Sequence, residues 1–139
     1  MNSQVTLNLK GWLKAFILKP SGAWYTVYND HNQINNTPGT EVTAKALGGE
    51  SGWSLDRIVA YKAGTLLAST SVIQVSYPAP NKVRLLARFD EASFNDTLDE
   101  LALEAGTHGK FAQVTGLSIT KDDTLQLGVE WTLTITKLI

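Results

Sequence analysis

Residues 124–135, TLQLGVEWTLTI, alternate between apolar and polar positions without a break. Because successive strand side chains point to opposite faces, this pattern predicts one long strand with one face in a core and the other in water. At about 3.4 Å per residue the strand would span about 40 Å, roughly twice the usual length. Trp131 falls on the apolar face, so we expect it in the core.

Shorter alternating segments precede this strand at intervals typical of an antiparallel all-β fold. We therefore predict a single domain over residues 1–139, an antiparallel β-sandwich or jelly roll with about eight strands and one short helix. Residues 1–10 are expected to include an N-terminal arm. Gly11 interrupts the first alternation, which predicts a β-bulge or a sharp bend. The expected strands cover residues 5–9, 24–28, 57–62, 71–77, 83–89, 101–105 and 112–120.

Two segments between the strands have their own local signals. Residues 29–39 are dense in Asn, Asp, Pro and Gly, which predicts an irregular loop. Thr40 is expected to cap a helix over residues 41–47 that Gly48 ends. The apolar residues within 96–104 partly fit both the period of a strand and the period of a helix. A strand is favoured there, and a helix remains the alternative.

Composition excludes several classes of function. The formal net charge of -1 and the lack of a basic run argue against nucleic acid as a partner. The chain has no cysteine, which removes disulfides, thiolate nucleophiles and Cys-based zinc sites. No apolar run approaches the ~20 residues that span a bilayer, and no secretory signal precedes the first strand. We expect a protein made in a cytoplasm, without a membrane partner.

The charged residues do not form a recognisable catalytic pattern. An acidic cluster could bind Ca²⁺ or serve glycoside hydrolysis, but it lacks the calcium-loop pattern and is better explained as solvated loop residues. The two histidines lie in separate loops, and no Gly-x-Ser-x-Gly elbow is present. We expect no enzyme activity, cofactor or metal; a glycan-degrading enzyme that uses Asp99 and Glu100 is the alternative. The acidic cluster comprises Asp90, Glu91, Asp96, Asp99 and Glu100.

The remaining tryptophans are candidates for contact with a partner. Trp12 and Trp24 flank the first turn, and Trp53 follows the glycine-rich residues 48–52. Exposed aromatic rings can stack on sugars or fill a pocket of another protein. The structural alternative is that these rings cover the ends of the sandwich.

The order of segments resembles that of small β-rich virion proteins of tailed bacteriophages, a group of head decoration (cement) and tail-fibre-associated proteins. The likeness covers most of the chain through weak motifs. The matching segments are DHNQIN at residues 30–35, the helix-like residues 41–47 beside glycines, the strands at residues 58–62 and 83–89, and the ending formed by residues 116–121 and 125–135.

The resemblance implies a capsid decoration protein that binds the major capsid protein on the outside of the head and stabilises it. It also implies a homotrimer, made in the host cytoplasm and located on the virion surface. The alternative is a carbohydrate-binding host-recognition module of a tail fibre or baseplate, with Trp24, Trp53 and Tyr61 as its platform. The candidate partner contacts are Trp53, Asn32, Asn35, Gln4, Thr132 and Thr134.

Overall fold

The computed structural model describes residues 6–138, which form ten strands and one helix. Most strands match the sequence prediction, and residues 96–104 form two strands rather than a helix. The elements are β1 (Thr6–Leu18), β2 (Trp24–Ile34), α1 (Asn36–Leu47), β3 (Arg57–Lys62), β4 (Thr65–Ala79), β5 (Lys82–Phe89), β6 (Asp96–Leu98), β7 (Glu100–Glu104), β8 (Lys110–Val114), β9 (Ile119–Lys121) and β10 (Gln126–Leu138).

Eight strands close into an antiparallel barrel in the order β1-β10-β5-β4-β3-β7-β8-β2, and β6 pairs with β9 separately. The mostly β, antiparallel fold with one helix is confirmed, but the predicted sandwich or jelly roll is wrong. Closure depends on the register between β2 and β8, where Gln33 lies opposite Gln113 and Ile34 opposite Ala112. We call this join the seam. Strand alternation is the same in a barrel and a sandwich, so the sequence pattern does not distinguish them.

The last strand organises the barrel as its alternation predicts. β10 pairs with β1 on one side and β5 on the other. Leu127, Val129, Trp131 and Leu133 face inward and are buried. Trp131 is fully buried and lies opposite Leu13 on β1. The prediction that Trp131 belongs to the core is confirmed.

Gly11 does not bend the first strand, so that prediction is wrong. β1 continues through it, with Leu13 buried and Trp12 exposed, and the register shift lies between Ala15 and Phe16. The glycine faces Asn32 on β2, and a Cβ at residue 11 would overlap the Asn32 amide. Asn32 Oδ1 accepts a hydrogen bond from Trp131 Nε1 at 3.0 Å. Gly11 therefore makes room for the side chain that satisfies the buried indole.

The predicted loop after the first hairpin is also wrong. Residues 29–34 continue β2 rather than forming a loop, because β1 pairs with residues 29–32 and β8 pairs with Gln33 and Ile34. Residues 6–10, which the predicted N-terminal arm includes, each lie opposite a residue of β10. The rest of the predicted arm, residues 1–5, lies outside the described residues. In both places pairing with a neighbouring strand outweighs local turn preference.

The predicted helix is confirmed; α1 starts earlier, at Asn36, but is kinked at Thr37, whose backbone angles are not helical. Thr40 does not cap it, because its hydroxyl donates to the Asn36 carbonyl within the helix at 2.8 Å. Gly48 ends the helix as predicted, and its N–H bonds to Ala44 O. Val42 is buried against the core, which docks α1 at the end of the barrel where β1 begins and β10 ends. We call this the upper end.

A buried lysine closes the opposite, lower end. The Lys121 ammonium is inaccessible to solvent and donates to the carbonyls of Glu91, Phe94 and Asp122 at 2.7, 2.7 and 3.1 Å. These bonds use all three of its N–H groups. Burial lowers the pKa of Lys121. The lysine therefore ties residues 91–94 to the segment that leads into β10.

We expect Gly11→Ala to lower the free energy of unfolding by about 1–3 kcal/mol, because the added methyl group overpacks the site of the Asn32 amide. Urea unfolding followed by tryptophan fluorescence measures this loss. Gly48→Ala is the control: its nearest neighbour, Ala44 O, lies 3.6 Å from the new Cβ, so little change is expected. Equal stability of Gly11→Ala and wild type would contradict the proposed steric role.

Candidate docking surface

An apolar groove lies at the upper end between α1 and the paired ends of β1 and β10. Leu7 and Ile135 are exposed there, although they belong to the inward-facing rows of their strands. Both strands extend past the core here. Leu7 and Ile135 therefore line the same groove as one face of α1, which includes exposed Leu47. The groove has a volume of about 540 Å³, and none of its lining residues is charged. We call it the helix groove.

A second apolar feature lies on β4. The strand pairs with β3 up to Ser71 and with β5 from Val72 onward. From residue 73 to residue 79, no strand described in residues 6–138 pairs with its other side. Ile73, Val75 and Tyr77 are exposed along this stretch. We call residues 73–79 the β4 edge.

The outer face of the barrel carries a more polar groove of about 360 Å³. Trp12 lies at one side, with its Nε1 hydrogen-bonded to Asn29 Oδ1 at 2.6 Å. Arg84 and Glu130 form an ion pair on the groove at 2.9 Å. We call this the outer groove. Its lining also includes Lys14, Lys82, Thr132 and Thr134.

A charged network covers the outer side of β3, β7 and β8. Glu104, which is almost fully buried, accepts from the Tyr61 hydroxyl at 2.5 Å and from Arg57 at 3.4 Å. Lys110 binds Glu100 at 2.6 Å and lies 4.1 Å from the centre of the Tyr61 ring. Each buried carboxylate thus has a cationic partner, as burial of charge requires. This arrangement joins three strands.

Burial, followed by the hydrogen bond to Glu104, raises the pKa of Tyr61 far above its ordinary value of 10. The neutral phenol is the form that donates this bond. In the unfolded chain the hydroxyl ionises near pH 10, whereas in the folded chain it keeps its proton. The contribution of Tyr61 to stability is therefore present below pH 10 and is lost as the pH rises above it.

Two of the predicted contact residues form hydrogen bonds within the fold. Asn32 is half-buried and bonds Trp131, as described above. Asn35 holds the seam: its backbone N–H donates to Phe111 O at 2.9 Å and its side chain donates to Lys110 O at 2.9 Å. The amide groups proposed to reach a partner thus serve the barrel, and a partner contact through them stays a prediction.

The other predicted contact residues lie in different parts of the structure. Thr132 and Thr134 lie together on the outer groove. Trp53 is half-buried and stacks on His108, with ring centres 3.5 Å apart. Gln4 lies outside the described residues. Trp12, which the sequence offered among the candidate tryptophans, lies on the outer groove, whereas sequence reasoning missed Leu47, although its position at the end of α1 carried the signal.

The three aromatic residues of the predicted sugar platform do not form one surface. Trp53 lies beside His108 on the turn that joins β7 to β8. Tyr61 belongs to the charged network on β3. Trp24 is exposed at the start of β2, with its ring 5.7 Å from that of Phe16. The three rings therefore lie in separate surroundings, and carbohydrate binding through them stays a prediction.

The acidic residues of the alternative enzyme hypothesis have structural partners. Asp99 accepts a hydrogen bond from the backbone N–H of Ala63 at 2.8 Å, and its carbonyl accepts one from Leu117 N–H at 2.9 Å. Glu100 is paired with Lys110. Within residues 6–138, no group of three or more His, Cys, Asp or Glu side chains is placed to hold a metal ion.

Comparison with models of known protein families, with curated proteins and with solved structures finds no match to this chain. The function of these surfaces is therefore inferred from their geometry and chemistry. In the part of the chain that the structure describes, no helix has both the length and the apolar character needed to cross a membrane.

We expect Tyr61→Phe to remove part of the loss of stability that the wild type shows above pH 10, because the variant has no phenol to ionise on unfolding. Urea unfolding at pH 8 and pH 11 measures the difference. Tyr77→Phe leaves the Tyr61–Glu104 bond in place and is the matched control. The same pH dependence in Tyr61→Phe and wild type would contradict the role given to this hydroxyl.

Proposed function

We propose that the protein is a non-enzymatic structural protein of a tailed-bacteriophage particle, which decorates the outside of the capsid. The observation that carries the proposal is the helix groove, where Leu7, Leu47 and Ile135 remain exposed beside one another. Contiguous apolar surface on a folded chain is typical of a site that another protein covers. The resemblance of the sequence to phage virion proteins supports the major capsid protein as that partner.

The chemistry of the groove favours an uncharged segment of polypeptide as its occupant. The apolar floor is bordered by amide and hydroxyl groups of residues such as Asn8, Asn36 and Thr43, which can bond a peptide backbone. No charged side chain lines it, so binding would depend little on salt. Modest contacts of this kind accumulate when many copies bind a repeating lattice.

Partners and location follow from the same proposal. The protein would be made in the host cytoplasm and bind the capsid surface as the head matures. The resemblance implies a homotrimer there, and neither nucleic acid nor a membrane is a partner. No cofactor is required for such a role.

We expect Leu47→Asp to lower the occupancy of the protein on purified particles, because it places a charge in the apolar groove. Losing the burial of one leucine, about 1.5–3 kcal/mol, weakens binding by at least about tenfold. Quantitative gel densitometry of particles made with each variant measures occupancy. Leu66→Asp is the control, since Leu66 is exposed on β4 and does not line the groove.

The wild-type copy number tests the proposal as a whole. Hundreds of copies per particle are expected of a capsid decoration protein, and a few dozen or fewer would contradict a role on the head. Equal loss of occupancy in both leucine variants would instead show that the groove is not the docking site.

The outer groove favours a second candidate function, a carbohydrate-binding module of a tail fibre or baseplate. Trp12 offers an aromatic face beside the Arg84–Glu130 pair and Thr132, which is a combination suited to the apolar faces and hydroxyls of a sugar. In this case Trp12→Ala abolishes binding to a glycan array, whereas Trp24→Ala retains it. If neither the wild type nor the control binds a glycan, this candidate is wrong.

A further inference from the structure

Two lysines flank a threonine on the outer face of the barrel. Thr134 of β10 lies opposite Lys10 on β1 and opposite Lys82 on β5. Residues directly opposite one another share a face, and the preceding residue of β10, Leu133, is buried in the core, so these three side chains point outward. Neighbouring strands are about 4.8 Å apart, which lets both flexible lysines reach one anion above the Thr134 hydroxyl. We call Lys10, Thr134 and Lys82 the lysine row.

Positive charge is in excess around this row. Within residues 6–138, neither Lys10 nor Lys82 forms an ion pair with a carboxylate. The lining of the outer groove has three cationic side chains and one carboxylate, Glu130, which is paired with Arg84. The whole chain, in contrast, has a formal net charge of -1. The outer groove therefore attracts an anion, although the protein as a whole does not.

The next row along β10 supplies an aromatic surface. Trp12 lies opposite Thr132 and is 40% exposed. The hydrogen bond to Asn29 and the edge of the His31 ring, whose centre lies 4.6 Å away, hold the indole in place. Successive outward residues of a strand are about 7 Å apart, so one sugar unit can contact Trp12 and place a substituent at the lysine row.

We propose that the outer groove binds a saccharide that carries a carboxylate, such as a uronic acid or a sialic acid. The inference rests on the second candidate function and names its class of sugar. The apolar face of the sugar ring packs on Trp12. The carboxylate lies at the lysine row, where two ammonium groups and the Thr134 hydroxyl donate hydrogen bonds to it.

A nucleic acid fits the same surface less well. Proteins that bind single strands combine a cationic groove along the phosphate backbone with a series of aromatic side chains. Among the described residues that line the outer groove, Trp12 is the only aromatic one. Glu130 also lies in the path of a continuous backbone, whereas it is about 14 Å along β10 from Thr134 and does not oppose a single carboxylate there.

Comparison of acidic sugars with their neutral forms tests the inference. The probes are trigalacturonate and sialyllactose, each paired with the same sugar in which every carboxylate is reduced to a hydroxymethyl group. Isothermal titration calorimetry is expected to show binding of one or both acids, and at least about tenfold weaker binding of the reduced form, because charged hydrogen bonds are lost. The two acids distinguish a uronic acid from a sialic acid as the source of the carboxylate.

The failures of the two proposals can be told apart. Equal affinity for the acidic and the reduced forms, or binding of neutral glycans alone, overturns the inference and leaves the second candidate function standing. Binding of no glycan contradicts both. The decoration function is unaffected in either case, because these measurements use the isolated chain.

Charge variants on one strand test the site itself. Lys82→Gln is expected to weaken binding of the acidic sugar at least about tenfold and to leave binding of the reduced form unchanged. Arg88→Gln is the matched control, since Arg88 belongs to the outward row of the same strand but does not line the groove. Equal weakening by both variants would show unspecific attraction of anions and overturn the site.

Two further measurements complete the test. Far-ultraviolet circular dichroism confirms that each variant is folded, and Lys10→Gln replaces Lys82→Gln if the latter does not fold. An oligothymidylate measures the nucleic acid alternative. If it binds more tightly than either acidic sugar and loses affinity in Lys82→Gln, the groove is a nucleic acid site and the proposal is wrong.

Discussion

The hydrogen bond from Trp131 to Asn32 is the constraint on which the barrel depends. A tryptophan in the centre of a closed barrel must find an acceptor for its N–H, because an unpaired buried donor costs about 1–3 kcal/mol. Asn32 can supply that acceptor from β2 only because Gly11, on the intervening strand, has no side chain. The consecutive strands β1 and β2 and the last strand, β10, thus fix one another's register through a single contact.

The sequence correctly predicts those strands whose own alternation of apolar and polar residues is clear. The alternation of residues 124–135 correctly places Trp131 in the core, and Arg57–Lys62 forms the predicted strand. The errors fall where pairing with another strand decides. Residues 29–34 have the composition of a loop but are held extended by β1 and β8. Barrel closure depends on the seam, which no local pattern records.

The candidate surfaces were harder to predict for the same reason. Leu7 and Ile135 look like core residues in the sequence, because they continue the apolar rows of β1 and β10. They become exposed because those strands extend beyond the core. Asn35 shows the converse, since a residue typical of an exposed turn is instead bonded across the seam. Exposure at a strand end depends on how far its neighbours reach, which is a property of the whole sheet.

The seam also sets the mechanical behaviour of the barrel wall. β1 and β10 are joined along thirteen residue pairs, whereas β2 and β8 meet at two, supported by the Asn35 side chain. Opening of a sheet begins where the fewest hydrogen bonds must break together. The β2–β8 pairing is therefore the weakest join in the barrel wall. Amide protons beside Gln33 and Gln113 should exchange with solvent well before those around Trp131. Thermal opening of the barrel would begin at the seam, and the pairing of β1 with β10 would be the last to break.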